Sequence, residues 1–178
     1  MKSKVIALSA ISASFITLFL SVGAYIEVVD LIAVVVASAF IILPLCKKWY
    51  LGSFLAYLAG GILAFLISGL NYLSLVFPAY FLFFGLFPII KKLMEEKSVK
   101  VWVFYLVSII WSVLISIGLY FYYTLLMGMQ VNFPIEWLNN YILPIVILIG
   151  VVVFFLYSHF LSVALKLSEK YIDKFINN

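Results

Sequence analysis

Six apolar stretches alternate with short polar breaks along this chain. They cover residues 5–25, 31–46, 49–70, 73–90, 101–126 and 141–165. A helix needs about 20 mostly apolar residues to cross a bilayer, and all but the short second stretch approach or exceed that length. Glu27 and Asp30 close the first stretch, and Pro44, Lys47 and Lys48 close the second. Asn71 marks a tight turn after the third. Residues 91–100, with four Lys and two Glu, follow the fourth. A polar and aromatic connection, 128–140, separates the fifth from the sixth, and a charged tail, 166–178, ends the chain. The pattern predicts an all-α fold: one domain, 1–178, built as a bundle of six transmembrane helices.

Composition agrees with lipid as the main solvent. The 178 residues are 67% hydrophobic and only 10% charged, where a soluble domain carries roughly a quarter charged residues. All eleven basic residues are Lys, and Ile, Phe, Tyr and Asn are plentiful, a usage that suggests an AT-rich bacterial genome. A pI near 9.1 raises the question of nucleic acid. The lysines stand in small groups at the ends of apolar stretches, however, which is orientation signalling, so no nucleic-acid partner is expected.

Short loops rich in Lys stay in the cytoplasm. Taken in alternation, the polar segments hold Lys2 and Lys4; none; Lys47 and Lys48; none; Lys91, Lys92, Lys97 and Lys100; none; Lys166, Lys170 and Lys174. Six crossings place every lysine on one side, and five or seven break the alternation. Both termini are therefore expected in the cytoplasm of a bacterial plasma membrane. The first apolar run is longer than the 7–15 residues of a signal-peptide core and reads as an uncleaved helix. The tail is amphipathic, with Leu165, Ile172, Phe175 and Ile176 on one face. It reads either as an extension of the sixth span along the inner surface or as a frayed helix end.

Helical faces carry further information. Gly52, Ala56, Gly60, Ala64 and Ser68 put a small residue at every fourth position of the third span, which lets a neighbouring backbone approach closely. This ribbon serves either packing inside the chain or docking of another subunit. The first span has a similar face: Ser9, Ala13, Thr17 and Ser21 in one row, with Ala7, Ala10 and Ser14 beside it. Ser108, Ser112, Ser116, Tyr120 and Thr124 form a row of hydroxyls on the fifth span. They face the bundle interior or a cavity, or they return hydrogen bonds to their own helix.

No acidic residue lies deep in a span, which argues against a proton-coupled pump. His159 is the one titratable group well inside, either a packing residue or a functional one. A single Cys, Cys46, excludes an internal disulfide and a Cys-based metal cluster. No metalloprotease, P-loop or nucleophile-elbow motif is present, so no enzyme activity, metal or cofactor is expected. The outer connection from Met127 to Tyr141 mixes amides, one carboxylate and aromatic rings, types that suit either a site for a flat ligand or interfacial anchoring.

In size, span number and terminal placement the chain resembles the S components of energy-coupling factor transporters, small membrane proteins that bind a solute for uptake. Ser9/Ala13 and Ala10/Ser14 stand where that family has an Ala-x-x-x-Ala contact face. Pro44 and Gly52 flank Lys47 and Lys48 near its Gly-Pro-rich turn, without the leading Gly. The resemblance implies a small-molecule ligand such as a vitamin or precursor, and a transmembrane coupling subunit with ATPase subunits as partners. It also implies that the first span, through Ala7, Ser9, Ala10, Ala13 and Ser14, meets that subunit. Polarity and depth then nominate Asn71, Tyr72, Tyr120, Asn132, Glu136, Trp137 and Asn139 as ligand-binding residues. A membrane interaction protein without a transport role, such as an assembly factor or sensor subunit, remains the alternative.

Overall fold

The computed structural model describes residues 2–97, 99–126, 128 and 136–177, with residues 2, 27, 126, 136–137 and 171–177 described by backbone alone. All regular structure among them is helical. The described helices are α1 (Lys2–Tyr25), α2 (Asp30–Phe40), α3 (Ile42–Leu45), α4 (Tyr50–Ile67), α5 (Val76–Ala79), α6 (Phe87–Glu96), α7 (Val101–Phe121), α8 (Glu136–Asn139) and α9 (Ile142–Asn177). Wide π turns, Tyr80–Phe84 and Tyr122–Leu126, continue α5 and α7. The chain divides into two compact units: Met1–Ser98 with His159–Asn178, and Val99–Ser158.

In the first unit, ring and backbone contacts give the direction of each element. Phe15 and Phe19 stack on Phe40 at 4.6 and 5.5 Å, and Gly23 faces Ala33. The stretch Asp30–Leu45 therefore runs back along α1. α4 then runs parallel to α1: Gly52 faces Ser9, Gly60 faces Ile16, and Tyr25 Oη donates to Ile67 O at 2.9 Å. The stretch Val76–Glu96 returns along α4, with Phe77 against Phe65 at 5.0 Å and Tyr80 against Tyr57 at 5.4 Å. At its far end Glu96 lies 3.6 Å from Lys48. In the second unit, Tyr105 stacks on Phe155 and Ser112 bonds Gly150, so α7 and the first half of α9 are antiparallel.

Among the described residues, five helical stretches are long and apolar enough to cross a membrane: Ser3–Tyr25, Tyr50–Ile67, Val76–Glu96, Val101–Leu125 and Ile142–Lys170. The sixth expected span, Asp30–Leu45, is an apolar helix of the shorter class. At about 1.5 Å per residue it reaches roughly 24 Å, less than the roughly 30 Å of a hydrocarbon core. α9 continues unbroken through the charged tail to Asn177, where side chains such as Ile172, Phe175 and Ile176 lie outside the described ones. Large apolar side chains face outward on several helices, among them Leu51 at 65% exposure and Leu148 at 66%. Apolar surface on that scale is compatible with insertion into lipid.

Two helix breaks are repaired by hydroxyls from neighbouring helices. Pro44 has no amide hydrogen, so the carbonyl of Phe40 loses its helical donor. Ser12 Oγ, fully buried, donates to that carbonyl at 2.6 Å. In the π turn the Gly85 amide reaches Tyr80 O, at 2.9 Å, instead of Phe81 O. Tyr57 Oη donates to Phe81 O at 2.9 Å.

Candidate functional site

The small-residue faces of α1 and α4 meet each other. A Cβ added at Gly60 would stand 2.6 Å from Ile16 and 3.1 Å from Ala13 O, and one at Gly52 would stand 2.6 Å from Ser9 Oγ. Thr17 Oγ1 donates to Ala13 O at 2.9 Å and to Gly60 O at 3.2 Å. Gly52, Ala56, Gly60, Ala64 and Ser68 are all buried. Ser9, Ala13 and Thr17 are half-buried in this seam, whereas Ala7, Ala10 and Ser14 stay exposed on the other side of α1. Ser14 Oγ bonds back to Ala10 O at 3.0 Å. Its hydroxyl is thus partnered within its own helix, which lets this exposed strip sit in apolar surroundings.

The lysine-rich end of the first unit holds most of its described charge. Phe84, Phe87, Pro88 and Lys91 recur at spacings of three and four and are all buried. Lys91 is thereby carried inward on the apolar face of α6, 4% exposed, and its Nζ donates to Ser162 Oγ on α9 at 2.5 Å. The next lysine, Lys92, pairs with Glu169 at 2.7 Å. Lysine counting alone treats these residues as orientation marks and misses the buried one. The signal for it was the apolar period running through position 91.

In the second unit Ser108, Ser112 and Ser116 are buried. Ser112 Oγ donates to Gly150 O at 3.2 Å and Ser116 Oγ to Ser112 O at 2.9 Å. A Cβ at Gly150 would overlap the Ser116 side chain. The serine row is therefore a packing seam for α9, and Thr124 returns a bond to Tyr120 O at 2.9 Å. His159 is exposed on α9.

The ligand candidates are divided. Asn71, half-buried, and Tyr72, 69% exposed, share the turn between α4 and α5 in the first unit. Tyr120 and Asn139 are half-buried in the second. Asn132 lies outside the described residues, as do the side chains of Glu136 and Trp137. Among the described residues, no three His, Cys, Asp or Glu side chains gather as metal ligands would. Comparison with protein-family models, with curated proteins and with solved structures finds no match to this chain.

Proposed function

We propose that the chain is a six-crossing protein of a bacterial plasma membrane, with both ends cytoplasmic. In this reading Asp30–Leu45 crosses despite its length. Support comes from the directions of its neighbours: α1 and α4 run parallel, so the stretch between them must return across the unit. Snorkelling lysines and local thinning accommodate a short helix at modest cost. Lys47, Lys48, Lys91, Lys92, Lys166 and Lys170 then share one end, as the Lys48–Glu96 and Lys92–Glu169 pairs suggest.

Within that frame we propose a solute-binding membrane subunit of an uptake transporter, similar to an S component. The observation that carries it is the exposed strip Ala7, Ala10 and Ser14. It is left over after α4 has used the other small face of α1, and it suits close approach of a coupling subunit's helix. The same exposed strip also serves a second reading, a membrane interaction protein that needs a partner and no solute.

Purification from a native-type host in mild detergent, followed by native mass spectrometry, tests both. The transporter reading predicts a bound small molecule and a membrane partner carrying ATPases, with the partner lost from Ala10→Phe. A partner without ATPases and without a bound solute would support the interaction protein. An unpartnered, solute-free protein would contradict both.

A further inference from the structure

The Lys92–Glu169 pair draws the end of α6 onto the turn of α9 that carries Lys166 and Lys170. Lys97 follows α6 directly, and Lys48 joins the same end through Glu96 at 3.6 Å. Lys48, Lys91, Lys92, Lys97, Lys166 and Lys170 thus meet three described carboxylates there, Glu95, Glu96 and Glu169. Two of the three form ion pairs with a lysine, and Glu95 lies within electrostatic reach of Lys91 and Lys92. Positive charge is left in surplus, and Lys97, Lys166 and Lys170 are exposed.

The surplus lies beside apolar surface. Val163, Lys166, Leu167 and Lys170 share one exposed face of α9 by their spacing of three, four and seven. Val163 is 45% and Leu167 52% exposed. Trp49, next to Lys48, is a residue type that settles at headgroup depth. A phospholipid satisfies both parts of such a surface at once. Its phosphate oxygens accept hydrogen bonds from ammonium groups, and its acyl chains cover the valine and leucine. An acidic protein would meet the charge and leave the apolar flank to be matched separately.

We infer that this end of the first unit binds anionic phospholipid headgroups, with Lys97, Lys166 and Lys170 holding the phosphate. The inference rests on the cytoplasmic placement proposed above and is independent of the solute-binding role. Lysines near an anionic surface each contribute about a fivefold preference for it.

The full chain is reconstituted in nanodiscs of mixed phosphatidylcholine and phosphatidylglycerol, and the lipids retained after mild extraction are counted by native mass spectrometry. Phosphatidylglycerol is expected to be retained in excess of its supply. Each of Lys97→Gln, Lys166→Gln and Lys170→Gln lowers that preference about fivefold, and the triple variant brings it to parity. Retention in proportion to supply, a triple variant that behaves as wild type, or a bound acidic protein in place of lipid would overturn the inference. Sidedness is read separately by labelling Lys97→Cys in a Cys46→Ala background. Labelling from outside overturns the membrane path itself. Cytoplasmic labelling without lipid preference overturns the lipid surface alone.

Discussion

Pro44 cannot donate to Phe40 O, and in apolar surroundings that carbonyl has no water to turn to. The fully buried Ser12 hydroxyl, 2.6 Å away, fills the gap. Its removal leaves a buried acceptor unsatisfied, which costs about 1–3 kcal/mol. Ser12→Ala should therefore lower unfolding stability in mild detergent by that amount. Pro44→Ala restores an amide at position 44, so the cost of Ser12→Ala in that background should fall to within about 0.5 kcal/mol of zero. Equal costs in the two backgrounds would show that the bond does not repair the proline. The break itself is legible in the sequence, because Pro44 announces it. Its partner is not, because nothing local to Ser12 indicates which carbonyl it will face. Lys91 shows the opposite case: its buried position follows from the spacing of Phe84, Phe87 and Pro88, while its partner Ser162 depends on how α9 folds back.

Helices were readable wherever apolar length was the whole signal. The boundaries moved where tertiary partners took over. The third span, read as 49–70, is helical over Tyr50–Ile67, because Gly69 and Leu70 adopt positive φ at its end. The fourth, read as 73–90, continues to Glu96 through a π turn, where the Tyr57 hydroxyl on another helix donates to the Phe81 carbonyl that the turn leaves over. The ribbon on α4 was visible as a period of four, but a period does not name its partner. That partner is α1, at Ile16 and Ala13. Gly60→Leu should therefore destabilise the first unit by about 1–3 kcal/mol through overpacking. Gly118, with open space where a Cβ would stand, is the control: Gly118→Ala should gain about 0.5–1 kcal/mol from helix propensity alone. Unfolding midpoints of the two variants check both signs, and equal effects would contradict the α1–α4 seam. The ligand candidates were the least legible part. Polarity and depth nominate residues singly, and a site depends on which of them converge.

For the molecule as a whole, the account depends on how many times the chain crosses. Lysine alternation and the parallel course of α1 and α4 both call for a return through Asp30–Leu45, a stretch that falls short of a full bilayer by length. The coupling face proposed on α1 and the lipid surface proposed at the lysine end both take their meaning from that return.

The most direct measurement is the sidedness of the two turns that flank it. Val28 is 90% exposed between α1 and α2, and the Lys48 side chain is 73% exposed between α3 and α4. Single cysteines at these positions, in a Cys46→Ala background, are labelled with a membrane-impermeant thiol reagent in sealed cells and again after permeabilisation. Six crossings predict that Val28→Cys reacts in sealed cells and Lys48→Cys only after permeabilisation. Reaction of both from the same side would mean that Asp30–Leu45 does not cross, and the proposed topology would be wrong.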